Sequence, residues 1–264
     1  MFDAFGDAPP SGVPWGVNFG GGDNSRALLL ALHDRGLRPD WVVFADTGSE
    51  WPETYESIPV VQAWCQKVGF PFEVTRWVRV RGEMAGEFES VHENALRTNY
   101  LPSKAYGLAG CTYKWKIQPL QRWRKKHGFT PSGVCIGYDA GEKRRLQKAR
   151  KRACNDVEQA ADEIIWYPLV GFGMDRKDCQ ERLRQQGWSS HKSACFVCPN
   201  TKPEEWDALQ GKHPQLFNIA KRIEQQAKDA GNASTKSLFR SYDPNAHCVC
   251  NADGCLITED ANEG

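Results

Sequence analysis

No apolar run in these 264 residues approaches the length needed to cross a bilayer. The opening residues, MFDAFGDAPPSG, lack a basic-then-apolar signal, so an intracellular, cytoplasmic protein with no membrane partner is expected. Net charge is almost absent. Lys and Arg number 34 and Asp and Glu 33, so no global field recruits nucleic acid, and any such contact needs a local patch. No internal repeat or low-complexity segment is found, which excludes a repeat array. Two common nucleotide fingerprints are missing as well. No Gly-Lys-Ser/Thr follows the glycines at 20–22, which argues against a Walker loop, and G-x-G-x-x-G is not present there.

What is present is a chain long enough for one large domain, or one domain with an appendage. Its organising stretch is Trp15 to Leu32, WGVNFGGGDNSRALLLAL. A short apolar run with Val17 and Phe19 meets Gly20-Gly21-Gly22-Asp23-Asn24-Ser25, and a helix begins by Ala27. Strand, glycine turn and helix in that order leave the first helical N–H groups pointing at the turn, where the helix dipole favours an anion. Three glycines let successive N–H groups face one phosphate. Ser25 is expected to cap the helix or to donate to a phosphate oxygen. On these residues alone, a ligand-free glycine turn accounts for the pattern equally well.

Trp41 to Ala45 reads as a strand buried on both faces, ending at Asp46-Thr47-Gly48. A helix from Pro52 follows, with Val60, Val61, Trp64 and Val68 on its inner face, and then a strand over Phe70 to Val74. This order predicts an α/β fold with a doubly wound, mostly parallel sheet that binds ligands at the carboxyl ends of its strands. Gly20 to Ser25 and Asp46 to Thr54 both fall at such ends, which favours the ligand reading of the turn. Further strands are expected over Val134–Gly137 and Ile164–Leu169, and a helix over Asp175–Gln186, capped by Asp175 and ended by Gly187. The expected organisation is an N-terminal extension over 1–14, a nucleotide-binding α/β domain over 15–170, a helical part over 171–230 and a cysteine-containing tail over 231–264.

Ten cysteines without an export signal point to metal ligands, reactive thiols and core residues rather than disulfides. Cys195 and Cys198 have the spacing that lets two thiolates of one turn reach one metal. Cys111, beside Lys114 and Lys116, is the best third ligand, because positive charge favours its thiolate. Three thiolates fit an iron–sulfur cluster, or zinc completed by His247, Cys248, Cys250 or Cys255. Cys65, Cys135 and Cys179 read as core residues, and Cys154 has no assignment. The run from Lys143 to Arg152, with Arg122, Arg124 and Lys125, is either a solvated face or a track for a nucleic acid backbone. Trp77 or Trp115 would then stack on a base. Asp139 and Glu142 are candidate ligands for magnesium through a nucleotide's phosphates. His191 is a candidate support for the cysteine site.

In order along the chain, several blocks resemble the phosphoadenosine phosphosulfate (PAPS) reductase family, of the PP-loop or adenine nucleotide α-hydrolase-like superfamily, especially its compact phage-type members. They are the glycine loop, Asp46-Thr47-Gly48 with Pro52-Glu53-Thr54, Cys111 with Lys116 and Pro119-Leu120, Gly137 to Arg144, and Cys195/Cys198 before Trp206. In the Ser-Gly-Gly-x-Asp-Ser pattern, Gly20 replaces the first Ser and Asn24 the Asp. The resemblance implies a Rossmann-like sheet and an adenine nucleotide such as ATP. Its phosphates would lie on Gly20, Gly21, Gly22, Asp23, Asn24 and Ser25, and its nucleoside near Asp46, Thr47 and Gly137. It implies catalytic Lys143 and Arg144, and tips the metal at Cys111, Cys195 and Cys198 toward a 4Fe–4S cluster over zinc. The implied activity is adenylation-dependent sulfur transfer to a nucleobase or nucleic acid, served by a sulfur donor protein. One alternative is a sulfonucleotide reductase with Cys255 as nucleophile and a thioredoxin-like reductant. Another is a zinc-stabilised nucleic-acid-binding module without catalysis.

Overall fold

The computed structural model describes residues 3–82, 85–102, 110–155, 162–191, 193–232, 237–239, 242, 249–251 and 254–256. The chain opens with β1 (Trp15–Phe19), α1 (Asp23–Asp34), β2 (Trp41–Asp46), α2 (Pro52–Val68), β3 (Phe72–Arg76) and α3 (Val91–Thr98). A helical stretch follows: α4 (Gly110–Thr112), a π-helical turn (Tyr113–Ile117) and α5 (Gln118–Lys126). Next come β4 (Ser132–Cys135), α6 (Lys143–Asn155), β5 (Glu163–Trp166), α7 (Pro168–Gly171), α8 (Arg176–Gln186), α9 (Pro203–Lys212) and α10 (Pro214–Asp229). Last is an antiparallel pair, β6 (Val249–Asn251) and β7 (Gly254–Leu256), whose register sets Cys250 opposite Cys255.

Among the described residues, the first five strands form one all-parallel sheet in the order β3-β2-β1-β4-β5. This is the expected α/β, doubly wound architecture. β2 shows why it forms: all six residues are buried, and alternate side chains enter different cores. Val42 and Phe44 join α1, α2 and α8 on one face, while Trp41, Val43 and Ala45 meet Leu120 and Trp123 of α5 on the other. α1 is apolar all round from Ala27 to Leu32, so it lies buried between the sheet and α8. Arg182 of α8 closes that contact with a two-pronged ion pair to Asp34, at 2.7 and 2.9 Å. A third apolar cluster joins Trp77, α3, Trp115, α9 and α10, and Cys111 and Cys195 pack at its margin.

The N-terminal extension packs on the β5 side of the sheet, where Ala4 accepts from Tyr167 N–H and Gly6 from the Trp166 indole. α8 has the predicted caps: Asp175 accepts from Lys177 and Asp178 N–H, and Gly187 takes the left-handed conformation. Three expectations shift. The third and fourth strands occupy neighbouring rather than identical residues, and the fifth stops at Trp166 rather than Leu169, with Pro168 opening α7. Val60 is half-exposed, because Ile58, Val61 and Cys65 form the inner stripe of α2. Cys65, Cys135 and Cys179 are core residues as expected, and burial pushes the Cys65 and Cys179 thiols up to about 12. No described helix is long and apolar enough to cross a membrane.

Candidate functional site

The strand order reverses between β1 and β4, and the loops leaving these two strands meet at the start of α1. Arg26 N–H makes the first helical bond, to Gly22 at 3.0 Å, so the N–H groups of Asp23, Asn24 and Ser25 precede the ladder. Gly22 stands at the N-cap, and no side chain caps this helix. The cap expected of Ser25 is therefore absent: its hydroxyl donates to the Gly22 carbonyl at 2.9 Å. Gly137 brings the β4 loop in closely, since a Cβ there would lie 3.3 Å from Asn24 O and from Ser25 backbone atoms. At Gly20 an added Cβ would meet only Ser25 Oγ, at 3.9 Å, so that side of the loop is open. The other side is occupied. A Cβ on Gly21, whose φ is +77°, would lie 2.7 Å from the Thr54 methyl, and one on Gly22 would lie 2.6 Å from Ser193 Oγ.

Several side chains expected near the nucleotide are engaged within the protein. Asp23 is buried, pairs with Arg26 at 2.7 Å, and accepts from Ser190 Oγ and from His191 N–H. Asn24 donates to Asp139 at 2.8 Å, and its own Oδ1 is buried without a partner. Asp46 accepts from Tyr55, Gly48 N–H and Arg76, each at 2.8 Å. Thr47 donates to Glu50 at 3.2 Å. The loop thus offers a ligand its backbone amides more than its side chains. Lys143 and Arg144 are exposed at the start of α6, just beyond the Gly137 turn. Asp139 is buried and accepts from Asn24, while Glu142, raised by burial, gives one carboxylate oxygen to Arg145 at 2.6 Å and keeps the other buried without a partner.

The cysteines lie along the neighbouring rim. Cys195 pairs with Glu50 in an antiparallel bridge, and Cys198 N–H closes the turn onto Cys195 O at 3.0 Å. Cys198 lies near enough to Cys111 and to Cys195 to help burial raise both of their thiols. Lys116 sits beside Cys195 and Cys198 and bonds Glu50 at 2.9 Å. Burial opposes its charge, but Glu50 and the thiols outweigh this and raise its pKa. The π turn that aims Lys116 has a local cause. Pro119 has no N–H for the Trp115 carbonyl, and Gln118 N–H bonds back to Tyr113 instead.

The thiol set has the softness that iron or zinc prefers. Yet among the described residues no group of three or more His, Cys, Asp or Glu is spaced to hold a metal ion. The Cys111 thiol is also not favoured as thiolate. Burial and Cys198 push it up, while Lys114 is drawn over the Trp77 and Trp115 rings at 4.0 and 4.1 Å and Lys116 goes to Glu50. Trp77 and Trp115 are buried and Trp115 donates to Glu89 O, so neither is a stacking platform. Arg124 is buried against Glu163 and Asn18 rather than tracking a backbone. His247 and Cys248 lie outside the described residues, and Cys154, Cys250 and Cys255 are described by backbone alone.

What sequence reasoning missed is the strap made by residues 190–191 and 193–196. Asp23 pins Ser190 and His191, and Ser193 lies against Gly22. Trp51 N–H then bonds Ala194, and Phe196 N–H bonds Ser49. His191 therefore serves the glycine loop rather than the cysteines. Beyond the strap, between α2 and α9, is a pocket of about 520 Å³ lined by Trp51, Glu56, Trp188 and His191 among others.

No family model matches this chain, and no curated protein matches it. Among solved structures, it is similar to phosphoadenylyl-sulfate (PAPS) reductase from Candida auris, a phosphate complex. That similarity is 16% identity over 68% of this chain and 76% of that one, with a TM-score of 0.43. It is also similar to U34-tRNA thiolase NcsA from Methanococcus maripaludis with its 4Fe–4S cluster, 12% identical over 85% of this chain and 76% of that one, with a TM-score of 0.45. Each likeness is one of fold, the α/β, parallel-sheet fold described above.

Proposed function

We propose that this chain is a PP-loop enzyme that uses ATP or a related adenine nucleotide to adenylate an acceptor oxygen, which sulfur then replaces. The observation that carries the reading is the meeting of the orphan amides of Gly21 to Ser25 with the Gly137 turn where the strand order reverses. Backbone donors there suit triphosphate oxygens. Lys143 and Arg144 would neutralise charge as the acceptor oxygen attacks the α-phosphate and pyrophosphate leaves. Sulfide from a donor then attacks the activated carbon, and AMP departs with the original oxygen. A nucleobase carbonyl, within a nucleic acid, is the acceptor class we favour, with exposed Arg122 and Lys125 available to its backbone.

Cys111, Cys195 and Cys198 are the residues that would hold an iron–sulfur cluster, or zinc, and a cluster bound there would supply sulfur delivery. Because the described geometry does not close a three-donor group, the adenylation step above is assigned to the loop and the cations alone. Two measurements test the reading. Pyrophosphate release from ATP should depend on a candidate acceptor and fall at least tenfold in Lys143→Ala/Arg144→Ala, a loss of about 1.4 kcal/mol of transition-state stabilisation or more. Anaerobic purification should give iron and sulfide that are lost from Cys195→Ser. Protein without ATP affinity would refute the nucleotide half, and a colourless zinc protein would refute the cluster.

A further inference from the structure

We propose that Ser193 is a phosphate-binding residue of the nucleotide site and links that site to the cysteine turn. The inference rests on the nucleotide reading above and deepens it. The glycine loop contributes no side-chain donor of its own: Gly20 to Gly22 have none, Ser25 spends its hydroxyl on the Gly22 carbonyl, and Asp23 and Asn24 are bonded within the protein. Ser193 brings a hydroxyl from 171 positions away in sequence onto Gly22, so close that a Cβ on Gly22 would lie 2.6 Å from its oxygen.

Among the described residues that hydroxyl has no hydrogen-bond partner, and it is not one of the fully buried orphans, so it is free to donate. Its surroundings favour an anion. The orphan amides of α1 are adjacent, and the carboxylates near the loop and strap are engaged: Asp23 by Arg26, Asp139 by the Asn24 amide and Glu53 by His213.

The hydroxyl is also held in place from both sides. Upstream, Asp23 grips Ser190 and His191. Downstream, Ala194, Cys195 and Phe196 pair with Trp51, Glu50 and Ser49. Ser193 is therefore two residues from Cys195 on a segment whose path is fixed at both ends. A phosphate that engages Ser193 restrains the segment carrying Cys195 and Cys198.

The test uses the whole chain, purified anaerobically, with ATP and inorganic pyrophosphate as titrants. Ser193→Ala should bind both about tenfold more weakly than the wild type, the loss expected for one hydrogen bond to a charged group. Ser193→Thr, which keeps the hydroxyl, should stay within about threefold of the wild type. Maleimide labelling of Cys195 and Cys198 in protein stripped of metal by a chelator, resolved by mass spectrometry, supplies a second readout. Saturating ATP should slow it about fivefold in the wild type and hardly at all in Ser193→Ala. Should the alanine variant melt, Ser193→Gly answers the same question. Equal ATP affinity in wild type and the hydroxyl-free variant would overturn the role of Ser193 while leaving the nucleotide reading standing. Absence of ATP binding by the wild type would overturn that reading, and this inference with it.

Discussion

Gly21→Ala should destabilise the chain by about 2–5 kcal/mol, and the cost can be split into two parts that separate experiments read. The first is backbone: φ at Gly21 is +77°, and a residue with a Cβ loses about 1–2 kcal/mol in that region. The second is steric. The new Cβ would sit 2.7 Å from Thr54 Cγ2, about an ångström inside ordinary contact, and Thr54 is fully buried in the first turn of α2. Overpacking of that kind costs about 1–3 kcal/mol. Urea denaturation of Gly21→Ala, Thr54→Ser and the double variant isolates the steric part, because Thr54→Ser removes the offending methyl. The double variant should recover about 1–3 kcal/mol relative to additivity, leaving the backbone cost. Gly20→Ala is the control: its Cβ meets nothing nearer than 3.9 Å, so it should change stability by less than about 1 kcal/mol. Additive effects of Gly21→Ala and Thr54→Ser would refute the packing argument, and a Gly20→Ala as damaging as Gly21→Ala would refute the account of the whole loop.

Glu89 is buried, and burial alone would raise its pKa. Hydrogen bonds from Arg97, Arg79 and Asn94 outweigh that and hold it below the usual carboxylate range. Its stabilisation is thus complete above the unfolded value near 4.5 and is lost as pH falls through the lower folded value. Glu89→Gln should cost about 2–4 kcal/mol at pH 7 in denaturant titrations, with the gap narrowing toward pH 3; a pH-independent gap would contradict the assignment. Lys116→Met should leave the fully buried Glu50 side chain without its cation, costing about 2 kcal/mol after allowance for the partial exposure of Lys116. Adding Glu50→Gln to Lys116→Met should restore at least half of that in thermal melts, and a further loss would show that Glu50 is stabilised by some other group.

The sheet was legible because its signals are local. Trp41 to Ala45 is apolar at every position, which only a strand covered on both faces tolerates, and the structure buries all five along with Asp46. Asp175 and Gly187 bracket α8 through bonds spanning three or four residues, so the caps could be read directly. Cys65, Cys135 and Cys179 followed from their apolar company. Failures came where a residue's partner is remote. Trp77 and Trp115 look like free aromatics in a polar stretch, but they become core when α9 and α10, about a hundred residues later, close over them. Arg124 reads as one cation in a basic helix until β5 and β1 bring Glu163 and Asn18 beneath it.

The glycine loop joins both cases. Its triple glycine signalled that a backbone must come close to something, and a phosphate was the natural candidate. The structure supplies a second claimant for the missing Cβ atoms, since Thr54 and Ser193 already press on Gly21 and Gly22. Packing explains the missing Cβ atoms of Gly21 and Gly22, but not the amides of Asp23 to Ser25 that precede the helical ladder, nor the open space beside Gly20. A turn needed only for packing would be expected to cap its helix with a side chain, yet the N-cap position holds Gly22, which has none. The Ser25 hydroxyl turns back to the Gly22 carbonyl and leaves those donors for something else to satisfy.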